Sequence, residues 1–129
     1  MVCRGQGGKW IGGESKMSTR KYSKAQESRV AKKLNGKRQP NSGATAFMKG
    51  DVKTDQFCIE CKTAMTEKQS MSIKRDWIDK IKEEAFAIGK PYWAVAFNFG
   101  DLRNPENFYI IDESLFKQLQ TYLENRRLD

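Results

Sequence analysis

The 129-residue sequence contains no histidine. That absence removes the Ser-His-Asp triad, histidine-ligated metals and a histidine general base. Any catalysis must therefore run on carboxylates, lysine, hydroxyls or thiols. Cysteine is scarce, at three residues: Cys3, Cys58 and Cys61. The last two form a CxxC, but structural zinc wants four ligands and there is no second pair, so no zinc is expected. A redox CxxC sits at a helix start, where the dipole lowers the thiol pKa. This one lies inside a strand pattern, where residues three apart point to opposite faces. The cysteines read as small core residues of a reducing compartment. No run approaches the roughly 18 apolar residues of a membrane span. The Gly-rich, polar N-terminus lacks an apolar signal core, which points to a cytoplasmic protein with no membrane partner.

Acidic charge is also missing, in one half only. Residues 1–50 carry 12 Lys/Arg against 2 Asp/Glu, a net of +10, and residues 51–129 carry 12 against 14, a net of −2. A basic half joined to a slightly acidic half suggests a polyanion partner, most simply nucleic acid. The length suits one core.

Residues 1–22 hold five glycines and no periodicity, and are expected to form a flexible basic N-terminal arm. Met17 opens a stretch that would serve as an ordinary start, so the first sixteen residues read as an upstream extension. Residues 23–129 are expected to form the folded domain. A helix should begin at Ser23, capped with Gln26, and stop at Gly36, with Glu27, Val30, Ala31 and Leu34 on its inward stripe. On the helix alone, Glu27 reads as a stripe-edge residue reaching water. Residues 35–47 are turn-rich. "KGDV" and "QFCIECKTAM" read as strands around a turn at Thr54–Asp55. Residues 70–89 form the clearest helix, with Ile73, Trp77, Ile78, Ile81, Ala85 and Ile88 as its stripe, Ser70 or Ser72 as cap and Gly89 as stop. "PYWAVAFNFG" and "FYIID" are two further strands. A last helix over 114–126 should bury Leu115, Phe116, Leu119, Tyr122 and Leu123. The order α-β-β-α-β-β-α around a mixed central β-sheet flanked by helices is an α/β fold.

One stretch does not fit a plain core. In "GDVKTDQFCIECK", residues 58, 60 and 62 share a strand face, so Glu60 and Lys62 project side by side. The hairpin through Thr54–Asp55 brings Asp51 near that charged end. Three charges at the edge of a small sheet are expensive unless exposed or useful. Two carboxylates suit Mg²⁺, a hard ion that takes oxygen ligands and keeps several waters. Such a metal polarises a phosphate and acidifies a bound water. A lysine beside it orients that water and offsets charge on phosphorus.

"GDV…FCIECK" resembles the PD-(D/E)xK nuclease motif. "SGAT…KGDV…ECK", after a helix bearing a glutamate, resembles the archaeal and phage Holliday junction resolvase branch of that superfamily, over roughly residues 23–112. The resemblance implies a restriction-endonuclease-like core. It makes Asp51 and Glu60 metal ligands, with the Cys61 carbonyl a further one, and Lys62 the motif lysine. Glu27 matches the first-helix glutamate that completes the metal site, directly or through water. Ser42 matches a serine near the DNA phosphate. The motif proline is Gly50 here. The activity implied is a Mg²⁺-dependent DNA endonuclease, with Mn²⁺ as a substitute, leaving 5′-phosphate and 3′-hydroxyl. A homodimer resolving branched DNA in a bacterial or phage-infected cell is implied as well. A restriction-type or nicking endonuclease, and a non-catalytic basic DNA-binding protein, are the alternatives.

Lys24, Lys32, Arg38, Lys49 and Lys74 adjoin this constellation and are candidate phosphate contacts, as are Arg20 and Lys21 of the arm. Trp77 and Phe99 sit at core spacing, so packing rather than base stacking is expected of them. Trp10 has no evident core role. No separate base-reading module is visible, which favours DNA structure over sequence as the recognised feature.

Overall fold

The computed structural model describes residues 8–39, 50–101 and 103–128, with side chains described from 21 to 126 within those ranges. The chain runs α1 (Gly8–Leu34), β1 (Lys37–Arg38), β2 (Val52–Lys53), β3 (Phe57–Lys62), α2 (Arg75–Ala87), β4 (Tyr92–Phe97), β5 (Phe108–Ile110) and α3 (Glu113–Leu128). The five strands form one mixed sheet in sequential order. All neighbours are antiparallel except β3 and β4, which run parallel from Phe57↔Tyr92 to Lys62↔Phe97. The connection between that parallel pair carries α2, as a crossover must.

Side-chain alternation along β3 divides the interior in two. Ile59, with Phe57 and Cys61 partly buried beside it, packs with Val30, Ala31, Val52, Ala94 and Ala96 on the α1 side. Cys58 packs with Ile81, Ala85 and Val95 on the α2 side, flanked by Trp77 and Trp93. The CxxC therefore splits across the sheet, with Cys58 buried on one side and Cys61 partly buried on the other. Burial pushes the Cys58 thiol up to about 12. β4 ends at Phe97, short of the expected strand; Phe99, two residues beyond it, still packs against Phe97 and Phe108, with ring centroids 5.6 and 5.8 Å away.

Several boundaries differ from expectation. The first helix begins at Gly8, not Ser23, so much of the expected arm is helical. The sequence from Gly8 to Leu34 contains no proline, and its Lys, Arg, Gln, Glu, Ala and Met outweigh the scattered glycines. Ser23 is thus an interior residue and no capping box forms. The end is sharper. Asn35 takes φ 55° and the Gly36 amide donates to the Ala31 carbonyl at 2.8 Å, a Schellman closure. A Cβ on Gly36 would lie 2.8 Å from the Lys53 carbonyl oxygen, so only glycine lets the chain turn straight into β1. That two-residue charged edge strand occupies part of the stretch expected to be turn alone.

The second helix starts at Arg75 behind Lys74, which makes no side-chain cap, so neither Ser70 nor Ser72 serves that role. Ile73 falls outside the helix and is exposed. The predicted stop holds. Gly89 has φ 73°, its amide reaches the Phe86 carbonyl, and the Lys90 amide reaches the Ala85 carbonyl at 2.9 Å. The third helix is capped by Asp112, whose Oδ1 accepts from the Leu115 amide at 2.9 Å. Its expected burial is largely wrong: Leu115 is buried, but Phe116, Leu119, Tyr122 and Leu123 are 61, 45, 60 and 55% exposed. Among the described residues, no helix is long and apolar enough to cross a membrane.

Candidate functional site

The site forms where β2 leaves β3. The hairpin turn is held by the Thr54 amide donating to the Phe57 carbonyl and the Phe57 amide donating to Thr54 Oγ1. The ladder's last register pair is Val52↔Ile59. One residue beyond it, the backbone changes role. The Asp51 amide donates to the Ile59 carbonyl at 2.9 Å, and Asp51 Oδ2 accepts from the Cys61 amide at 2.8 Å. Asp51 is thereby bonded to the residues on both sides of Glu60. Its own carbonyl accepts from the Gln39 amide at 2.9 Å.

Gly50, just before it, has φ 77°, and a Cβ there would lie 2.5 Å from Cys58 Sγ. Proline, locked near φ −65°, cannot adopt this conformation. The departure from the motif proline therefore belongs to a different local turn, one that requires glycine. The Gly50 amide donates to Glu84 Oε1 on α2 at 2.8 Å, which ties the turn to the helix above it.

Glu60 is buried and Lys62 half-buried, with Lys62 Nζ 3.3 Å from Glu60 Oε2. The same ammonium lies 5.0 Å from the centre of the Trp77 ring, in the first turn of α2. Burial raises the Glu60 pKa and the nearby Asp51 charge adds to it, while Lys62 and Lys80 pull it back. Glu27, on α1, is partly buried, and Arg38 Nε on β1 lies 3.4 Å from its Oε1. Burial and Asp51 raise its pKa too, against the pull of Arg38. Burial holds the Cys61 thiol protonated, and the charges of Asp51, Glu27 and Glu60 add to that effect.

By chemical type, the carboxylate and carbonyl oxygens here are donors that a hard cation takes, and no thiolate competes. The raised pKa of Glu27 and Glu60 comes first from burial and then from the neighbouring Asp51 charge. The site is not a preformed cage. Among the described residues, no three His, Cys, Asp or Glu side chains stand as a metal-binding group. Asp51 engages an amide, Glu60 a lysine and Glu27 an arginine.

The structure thus shows three contacts among the expected residues: Asp51 with the Cys61 amide, Lys62 with Glu60, and Arg38 with Glu27. Arg38 sits at the site as the ion-pair partner of Glu27. Lys74 is exposed at the start of α2, its carbonyl accepting from the Trp77 amide at 3.0 Å, and so stands beside Lys62's aromatic neighbour. Lys21, Lys24 and Lys32 are exposed along α1. Arg20 and Trp10 lie on α1, where their side chains are outside the description, and Ser42 and Lys49 lie outside the described residues.

Two contributors were not anticipated. Gln26, fully buried, donates from Nε2 to the Lys62 carbonyl at 2.9 Å, the Ala96 carbonyl at 3.2 Å and Asn107 Oδ1 at 3.0 Å. It pins the end of β3 to α1. The signal was its place four residues before Val30, on the buried face. Glu84 is the other. It lies three residues after Ile81 on α2, so the stripe itself aims it at the sheet, but nothing in the sequence says that it receives Gly50.

Compared with family models, curated proteins and solved structures, the chain matches none.

Proposed function

We propose that the chain is a Mg²⁺-dependent DNA endonuclease with a restriction-endonuclease-like core, selective for branched DNA such as four-way junctions. The observation that carries this reading is the locking of Asp51 around Glu60, with Lys62 3.3 Å from that carboxylate. Asp51, Glu60, the Cys61 carbonyl and Glu27 are the groups that would hold the ion. When bound, Mg²⁺ supplies charge to the scissile phosphate and acidifies a water. Lys62, steadied by the Trp77 face, orients the attacking water and stabilises negative charge on phosphorus. Arg38 holds Glu27 in an ion pair, and its guanidinium would be a further donor for a DNA phosphate. The exposed lysines of α1 and Lys74 supply sequence-independent attraction to the DNA backbone.

A test is cleavage of supercoiled plasmid, linear duplex and a four-way junction in Mg²⁺ or in EDTA. Mg²⁺-dependent cutting with the junction cut fastest is expected. Equal rates on junction and duplex would favour a restriction-type or nicking enzyme. A second reading, a non-catalytic DNA-binding protein, has one observation in its favour: each carboxylate already has a protein partner. It predicts DNA binding with no cutting in any divalent cation.

A further inference from the structure

A groove of about 700 Å³ lies between α1 and the segment that leads into β5, lined by Arg29, Lys33, Asn104, Glu106, Asn107 and Tyr109. Arg29 and Lys33 stand one turn apart on one flank of α1. Arg29 is turned about 200° around the helix from Glu27, so the groove is separate from the carboxylate site. Among the described residues, neither cation is in an ion pair. Arg29 Nε is buried and finds no acceptor in the chain. A buried donor in that position calls for a partner from outside. The opposite wall is already formed. The Asn104 amide donates to the Asp101 carbonyl at 3.2 Å and the Glu106 amide to the Asn104 carbonyl at 2.7 Å. Asn107 is held by Gln26 Nε2 at 3.0 Å. The register Ala96↔Tyr109 puts the Tyr109 ring on the α1 side of the sheet, where it is 39% exposed.

We infer that this groove binds a single nucleotide, with its phosphate at Arg29 and Lys33 and its base against the Tyr109 ring. Two cations one turn apart suit a phosphate, and the arginine supplies a fork of donors to it. The tyrosine supplies a face on which any base can stack. The carboxamides of Asn104 and Asn107 offer both donors and acceptors for a base edge. Glu106 decides between a bare anion and a larger ligand. Its carboxylate repels inorganic phosphate, but it accepts from a sugar hydroxyl or a base amino group. The volume also suits a small organic ligand rather than an ion. Duplex DNA keeps its base faces stacked, so the occupant is a free nucleotide or an unpaired nucleotide of a strand. The candidate backbone contacts Lys24, Lys32, Arg38 and Lys74 are not among the lining residues. The inference stands on the groove and not on the nuclease reading.

The test is equilibrium dialysis of the full chain against thymidine 5′-monophosphate, at physiological salt and in EDTA so that no divalent ion contributes. Saturable binding at one nucleotide per chain is expected. Thymidine, which lacks the phosphate, and inorganic phosphate, which lacks the base, should each bind at least about tenfold more weakly. Arg29→Gln and Lys33→Gln should each weaken nucleotide binding about fivefold or more. Lys33 is exposed, so its variant keeps the fold even if that of the half-buried Arg29 does not. Tyr109→Ala should cost about tenfold, and Tyr109→Phe, which keeps the ring, should restore it. A short oligothymidylate separates the two sources. Tighter binding that Tyr109→Ala abolishes identifies an unpaired strand, and binding no tighter than the monophosphate identifies a free nucleotide. No saturable binding by the parent up to about 5 mM overturns the inference, because a built site should fill below that. So does thymidine or phosphate that binds as tightly as the nucleotide, or a Lys33→Gln or Tyr109→Ala chain that binds as the parent does. With no metal present, none of these outcomes bears on whether the protein cuts DNA.

Discussion

Along β3, Phe57, Ile59 and Cys61 lean toward the α1 side and pack among aliphatic groups, whereas Cys58, Glu60 and Lys62 begin in the α2-side core and end in charge. The two faces come from the same six residues and the same backbone, yet one is uniform and the other changes character midway. The difference lies in the neighbours. On the α1 side, small Ala94 and Ala96 let Val30 and Ala31 press close. On the α2 side, β2 ends its ladder beside Glu60, and Asp51 turns its carboxylate onto the strand instead of continuing the pairing. Buried charge is tolerated there because each charged group has a partner, and because the strand ends as the charges begin.

The sharpest way to separate the faces is to compare activity with stability. On the charged face, Glu60→Gln and Lys62→Ala should each lower junction cleavage at least about a thousandfold, with the thermal midpoint little changed in Glu60→Gln. Parental rates in either variant would break the contrast. On the apolar face the balance reverses. Ile59→Ala should lower unfolding free energy by about 2–5 kcal/mol in a denaturant titration, with cleavage per folded molecule preserved. Glu27, on α1 and paired with Arg38, should fall between them: Glu27→Gln is expected to slow cutting about tenfold with little change in stability.

Gln26 sharpens the comparison further, since it joins the two layers. Gln26→Leu removes a buried donor from the Lys62 and Ala96 carbonyls and from Asn107 Oδ1, and should cost about 1–3 kcal/mol. An unchanged denaturation midpoint would mean that other donors replace it.

The smallest effect is a pH dependence. Folding raises the pKa of Glu60 above its ordinary 4.5. A carboxyl raised in the folded state stabilises the fold fully below its unfolded pKa, and that contribution is lost as pH rises through the folded value. Glu60→Gln should therefore be relatively more stable than the parent at neutral pH, with the gap closing as pH falls toward 4.5. A gap that widens on acidification would contradict the burial of this charge.

The hairpin, the stop at Gly89 and the buried stripe of α2 were legible because each depends on local chemistry: turn residues, a positive-φ glycine, a helical period. The charged triplet was legible as a juxtaposition, since strand alternation and one turn suffice to place Asp51, Glu60 and Lys62 together. The start of α1 was not, because Ser23 resembles a cap equally well inside a longer helix. Gln26 was assigned to that cap, and its true partners lie 36 to 81 residues away, beyond any local signal. The stripe of α3 shows where the limit falls. Periodicity says that a face must be covered, but not whether the cover comes from the same chain.

Titration with Mn²⁺, read by the loss of its free electron paramagnetic resonance signal, tests most directly whether Asp51 and Glu60 form a divalent-cation site. The account predicts saturable binding by the parent chain and its loss in Asp51→Asn and Glu60→Gln, with Ile111→Val binding as the parent does. No saturable binding by the parent, or equal binding by all four proteins, would contradict it.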